Sequence, residues 1–295
     1  MIYKFIAQHA ALYPVEKMCK CLMISKSSYY AWRLNSTVAR KSNRKDKLSG
    51  LIRLEFNKSY SIYGSPRITK ELSKQGVVVC KSYVARLMKN IGIRSVVKKK
   101  FIATTNSKHS YLVSDNLLKR DFTTLQLGKK WVTDITYLKV GNRWAYLTTM
   151  IDLVDRQVVG WSLSKDMTME NTVLRAWNNA RNRRSIENGF ILHSDRGIQY
   201  ACNKTKNLFT LNVKATQSMS RKGDCWDNAV AESFFKTIKY EWINRFKYDT
   251  YNQAYLSIWK YIEWYNDYRI HSSLGYKTPA EMEMVLRNIN NKSAA

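Results

Sequence analysis

At about residue 128 the chain changes its pattern, and that break restricts its fold more than any other feature. The segment Lys130-Trp131-Val132-Thr133-Asp134-Ile135-Thr136-Tyr137-Leu138 is rich in β-branched and aromatic residues. Gly141-Asn142 then supplies a hairpin turn. Trp144 to Val154 and Gln157 to Leu163 read as two further strands. A helix over Met169 to Arg181 follows, then a short apolar strand over Gly189 to His193. Gly197 to Phe209 reads as helix and Leu211 to Ala215 as a last strand. Ser218 to Trp226 is polar and flexible in composition, and Asp227 opens a long helix running through Glu232 to about Ile243.

Three antiparallel strands followed by alternating helix and strand is the order of an RNase H-like fold. The class expected for residues 128–245 is therefore α/β, a mixed five-stranded sheet with helices. Behind it, Tyr251 to Tyr265 carries Tyr255, Trp259, Ile262 and Trp264 at helical spacing. Residues 246–295 are thus expected to form a C-terminal helical extension packing on the core.

Ahead of the break, residues 1–95 read as all-α. Val15 to Cys21 and Ser27 to Arg33 are helical stretches around Leu22-Met23-Ile24-Ser25, with Ser25 placed to cap the second. That is helix-turn-helix punctuation, in which Lys26, Ser27, Ser28 and Tyr29 begin the helix that meets DNA. In a second pair, Ser65 and Pro66 are cap and first turn of a helix bearing Arg67, Ile68 and Leu72, stopped by Gly76. Val84, Leu87, Met88 and Ile91 then share one apolar face before Gly92. Residues 96–127 read as a basic linker with Lys98, Lys99 and Lys100 at its start.

Charge agrees with this division. The chain carries 50 Lys and Arg against 22 Asp and Glu, a net of +28. Residues 1–130 hold 27 basic and 6 acidic residues, whereas residues 131–295 hold 23 and 16. Such a field attracts a phosphate backbone through counterion release, so nucleic acid is the expected partner. Several other classes are excluded. No apolar run reaches 18 residues, so no membrane span is expected, and the N-terminus has no export signal. Five scattered cysteines suit a reducing cytoplasm. Four histidines and no Cys-x-x-Cys leave no zinc finger. Neither a Gly-rich phosphate loop nor a nucleophile elbow occurs, so no nucleotide cofactor or covalent serine is implied.

Acids are scarce, so their positions inform. Asp134 lies within an apolar strand, Asp195 follows a strand directly, and Glu232 sits on a helix crossing near both. Alone, each reads as a strand-end salt bridge, a loop cap or a solvated helix residue. Converging, they form a hard oxygen site for Mg²⁺ or Mn²⁺, and two such ions about 3.5–4 Å apart could activate a nucleophile at a phosphodiester. His193 could orient a water there or serve as a buried strand-end residue. Asp152 and Asp155 are assigned structural roles.

Three segments carry a resemblance. They are Trp131 to Tyr137, His193-Ser194-Asp195-Arg196-Gly197, and Ser218 to Ala229 continuing through Glu232-Ser233-Phe234-Phe235. Together with Tyr265-Asn266, Arg269, His271 and Thr278-Pro279, they are similar to the second-frame (OrfB) transposases of bacterial insertion sequences, whose core resembles retroviral integrases. The resemblance implies a catalytic and metal-binding triad of Asp134, Asp195 and Glu232, two divalent ions, and a basic residue at Lys239, two helical turns beyond Glu232. It implies 3′-end cleavage and strand transfer, on double-stranded DNA comprising the element's terminal inverted repeats and a target. A homo-oligomer on DNA and an upstream-frame (OrfA-type) protein or frameshift fusion are also implied, in a cytoplasmic, nucleoid-associated setting. Lys222, Trp226, Asn228, Lys236 and Lys239 become candidate DNA contacts. The pattern departs at one point: 36 residues lie between Asp195 and Glu232, one more than in the family, with the extra residue placed around Asn212–Thr216. The competing reading is a catalytically inert DNA-binding relict or regulator of the same element.

Overall fold

A computed structural model of the protein describes residues 1–96, 114–210, 215–221 and 225–293. Contacts divide the chain into two compact units, Met1–Ser95 and Val96–Ala295.

The first unit is helical throughout: α1 Ile2–His9, α2 Val15–Cys21, α3 Lys26–Lys58, α4 Ser65–Lys74 and α5 Lys81–Asn90. Ser25 caps α3, its Oγ accepting from the Ser28 amide at 3.0 Å. The helix does not stop at Arg33, however. No Gly or Pro interrupts residues 34–49, so nothing breaks the hydrogen-bond ladder, and α3 runs for 33 residues. Tyr29 is fully buried with Ile6 and Cys19 rather than offered to DNA. Its position on α3 turns it onto α1, where its ring lies 6.3 Å from Tyr3. In α4 the cap position belongs to Gly64 and Ser65 is the first helical residue, with Pro66 beside it in the first turn. Ile68 and Leu72 of α4 and Val84, Leu87 and Met88 of α5 are buried, while Ile91 is only partly so. Gly76 and Gly92 end these helices at φ +78° and +71°.

The second unit is built on five strands: β1 Lys130–Val140, β2 Arg143–Asp152, β3 Val158–Ser164, β4 Phe190–Ser194 and β5 Ala215–Met219, in the order β3-β2-β1-β4-β5. The β1–β2 and β2–β3 pairs are antiparallel, and the β1–β4 and β4–β5 pairs are parallel. Of the last strand expected over Leu211 to Ala215, residues 211–214 lie outside the described residues, and the described strand β5 begins at Ala215. Its polar side chains are used internally: Gln217 donates to the Tyr200 carbonyl and the Ser218 hydroxyl meets His193. The helix after β3 starts with a π turn, Glu170–Leu174, and continues as α6 Arg175–Arg183. The expected helix after β4 is broken at Cys202 into α7 Ile198–Ala201 and α8 Asn203–Thr210. A 3₁₀ turn, Cys225–Asn228, precedes α9 Ala229–Glu241, so Asp227 lies outside the α-helix it was expected to open.

Trp131, Trp177, Phe190 and Met150 lead a buried cluster between the sheet and α6. Gly160 of β3 makes that packing possible: a Cβ there would stand 2.5 Å from the Ala180 Cβ. Behind α9 come α10 Tyr251–Asp267 and α11 Pro279–Ser293. The Asn266 side chain accepts from the Val158 amide at 3.0 Å and donates to its carbonyl at 3.1 Å, covering part of the β3 edge. Arg184 joins Asp152 at 2.8 Å, Asp155 at 2.7 Å and Glu283 of α11 at 3.1 Å. Of the segment read as a linker, residues 114–121 dock on the sheet, the Leu117 amide donating to Ser218 Oγ at 2.9 Å.

Candidate functional site

Strand register brings the first two acids together. In the parallel β1–β4 pair, Trp131 lies opposite Leu192 and Val132 opposite His193. Two residues beyond that last pair stand Asp134, still in β1, and Asp195, just past the end of β4, so both acids lie where the β1–β4 ladder ends. Asp134 accepts from the Ile135 amide at 2.8 Å, and Asp195 accepts from the Gly197 amide at 2.9 Å, which fixes one oxygen of each. Glu232 lies on α9, a helix in contact with β1.

The three carboxylates perturb one another. Burial raises the Asp134 carboxyl well above its ordinary range, and the charges of Asp195 and Glu232 add to that, while Lys239 opposes it. Glu232 is also raised, by burial first and then by Asp195. Asp134 and Asp195 are partly buried and Glu232 is exposed; like charges that raise one another call for a cation, and carboxylate oxygen is the ligand that Mg²⁺ and Mn²⁺ prefer. Among the described residues no group of three His, Cys, Asp or Glu side chains is close enough to hold a metal ion. The acids have the donor chemistry of a divalent-cation site.

Thr133, next to Asp134, links all three elements. Its carbonyl accepts from Asn228 Nδ2 at 3.1 Å, and Asn228 lies one helical turn before Glu232. Its hydroxyl lies 3.0 Å from the hydroxyl of Tyr200, five residues after Asp195. Tyr200 is buried, and burial together with Asp134 and Asp195 raises its phenol. Neither Thr133 nor Tyr200 was singled out in the sequence, because only the folded contact gives them a role.

The other predicted residues separate. Lys239 is partly buried, its Nζ lying 5.0 Å over the Tyr137 ring, and burial lowers its pKa against the pull of Asp134. Lys236 and Trp226 are exposed. Asn228 faces inward, 3% exposed, and is a strut rather than a surface contact. His193 is likewise buried between the hydroxyls of Ser218, at 2.8 Å, and Ser220, at 3.2 Å. Burial lowers it to about 4, so it is neutral at pH 7. In the first unit, Lys26 pairs with Glu16 at 3.3 Å on the surface and Ser28 is exposed. Arg67 stacks over Tyr63 at 5.3 Å. Lys98, Lys99, Lys100 and Lys222 lie outside the described residues, as do residues 211–214, where most of the extra-residue segment falls.

Comparison with known proteins decides the family. Integrase core domain families match residues 125–225 and 213–279, and an HTH-like domain matches residues 43–101. The transposase InsF for insertion sequence IS3A of Escherichia coli (strain K12) is 34% identical over 285 residues, covering 96% of this chain and 98% of that protein. The chain belongs to the IS3-type insertion-sequence transposases. An uncharacterized 31 kDa protein of insertion element IS600 from Shigella sonnei is 35% identical over 264 residues, 89% of this transposase and 96% of that protein. Among solved structures, the HTLV-2 integrase catalytic core in complex with magnesium matches 53% of this chain and 96% of its own at 18% identity and a TM-score of 0.40.

The transposase is accordingly an enzyme of the polynucleotidyl-transferase class with DNA as its partner. Cores of this class depend on divalent metal. Among the described residues no helix is long and apolar enough to cross a membrane.

Proposed function

We propose that Asp134, Asp195 and Glu232 are the catalytic carboxylates of a DDE transposase that cleaves the 3′ ends of its element and joins them to target DNA. The observation carrying this reading is the β1–β4 pairing, which ends just before Asp134 and Asp195, with β1 in contact with the helix that bears Glu232. Asp134 and Asp195 would hold two Mg²⁺ (or Mn²⁺) ions, with Glu232 completing the second position. Bound divalent cations supply Lewis-acid activation and charge neutralisation at a phosphodiester.

The chain's own groups do the rest. Asp134 and Asp195, each fixed by a backbone amide, orient the site. Lys239 offers a positive charge to the incoming phosphate beside Asp134. Water attacks a phosphorus at the element end and frees a 3′-hydroxyl. That hydroxyl then bonds to a target phosphorus, and the displaced 3′-oxygen of the target leaves and takes up a proton. No covalent protein–DNA bond forms.

DNA contacts are assigned to Lys26, Ser28, Arg67, Lys98, Lys99, Lys100, Lys222, Trp226, Lys236 and Lys239. The division of labour is a DNA-binding region at 1–95, a basic linker at 96–127, a catalytic core at 128–245 and a packing extension at 246–295. The enzyme would act as a homo-oligomer on the terminal inverted repeats, together with an upstream-frame protein or fusion, on the cytoplasmic nucleoid.

The test is strand joining with Mn²⁺ and oligonucleotides from the gene's own flanks, comparing wild type with Glu232→Gln. Joined products from wild type alone support the assignment. Equal joining by both would remove Glu232 from the site.

A further inference from the structure

We infer that Tyr137 and Trp144 form a stacking platform for an unpaired base at the DNA end, beside the reacting phosphate. The inference deepens the transposase reading and rests on it. Tyr137 is 51% and Trp144 52% exposed, and their rings meet edge to face with centroids 5.1 Å apart. Register pairs Tyr137 with Tyr146 and Lys139 with Trp144, so these four side chains share one face of the β1–β2 hairpin. Leu138 and Ala145, on the opposite face, are buried.

The platform is rigid. The Gly141 amide at the hairpin tip donates to the Tyr248 carbonyl at 2.7 Å, and Val140 bridges to Tyr248. The rings stand near perpendicular, at 85°, and Lys239 lies over Tyr137, so Trp144 is the ring offered to a flat ligand and Tyr137 holds it in place, on a support that needs little ordering on binding.

Charge selects the ligand. From Ile135 to Thr148 the hairpin contains no acid, while Lys139 and Arg143 are exposed. Lys239 connects the platform to the carboxylates: its Nζ sits 5.0 Å over the Tyr137 ring and its charge reaches Asp134. Tyr137 leaves the face of β1 opposite to Asp134, so Lys239 and not the strand joins the two; three residues along β1 separate them by about 10 Å. That is roughly three base steps of about 3.4 Å. An apolar protein surface would have to desolvate these cations, whereas a nucleotide offers them phosphate and offers the rings a π face. Bases inside a duplex hide both faces and a paired end base shows only its outer one, so the assigned occupant is an unpaired terminal base, free to swing onto the ring.

The experiment places 2-aminopurine at the terminal position of duplexes from the element's end, closed by a matched or a mismatched pair. It titrates each with full-length wild type, Trp144→Ala and Trp144→Phe. Wild type and Trp144→Phe should quench the mismatched end. Trp144→Ala should lose the quenching, and about 5- to 100-fold of the affinity preference for mismatched over matched ends, with an unchanged melting temperature. Quenching by Trp144→Ala equal to wild type, with strand joining intact in both, overturns the platform and leaves the carboxylate assignment standing. Wild type that quenches but joins nothing supports the platform and overturns the transposition reading.

Discussion

The side-chain amide of Asn228 donates to the carbonyl of Thr133 at 3.1 Å, one residue before Asp134 and one helical turn before Glu232. This bond ties the helix carrying one acid to the strand carrying another, so it sets their separation directly. Asn228→Ala removes the strut while leaving every carboxylate in place. Joining should fall about 10²-fold, the scale of a misplacement near 1 Å, with a stability loss of only about 1–2 kcal/mol. Single-turnover rates beside thermal melts separate the two effects, and a rate that follows stability alone would refute the positioning role.

The carboxylates can be tested without catalysis. Mn²⁺ should raise the melting temperature of wild type, because a ligand that binds only the folded chain stabilises it by mass action. Asp134→Asn should lose most of that rise and Asp195→Asn likewise. Both variants should keep DNA affinity, measured in the absence of divalent ions. An undiminished Mn²⁺ response in both would place the metal elsewhere.

Asp227 predicts an acid limb. The bond from Arg221, then that from Arg120, holds its carboxyl well below the usual 3.8. A folded-state pKa below the unfolded one means that the stabilisation is complete above about pH 4 and is lost as pH falls further. Asp227→Asn should therefore be less stable than wild type at pH 7. The gap should narrow steadily below about pH 4, as read by denaturant melts across pH. A gap that does not depend on pH would show that the ion pairs contribute nothing.

Gly160 is placed against α6 with no room for a methyl group. Gly160→Ala should cost about 1–3 kcal/mol or more through overpacking, whereas Gly50→Ala, where no atom lies within 4 Å of the added Cβ, should cost nothing comparable. Urea midpoints for the two variants make the comparison.

Removal of residues 1–95 should weaken DNA binding and flatten its dependence on salt, since 19 of the 50 basic residues lie in that stretch. Affinity measured at several salt concentrations checks this, and an unchanged slope would put the main DNA surface in the second unit.

Most of the architecture was legible in the residues because its signals are local. A β-branched run, Gly141-Asn142 and the periodicity of α5 and α10 report on neighbours in sequence, and the three acids stand out against a basic chain. Where a segment's partner is distant, local signals misled. Gln217 and Ser218 carried no strand signal, yet pairing with β4 places a strand over Ala215–Met219. Tyr29 looked like a recognition-helix residue, yet the packing of α1 turns it inward. The sequence alone determined which chemical groups are present and which strands and helices carry them. Only the tertiary structure decided that Asp134 and Asp195 lie at the end of one parallel strand pair and that Thr133 joins the elements bearing all three acids. It also decided that Asn228 and His193 brace the site from within. Register and burial depend on contacts between residues far apart in the chain, and no local pattern encodes those.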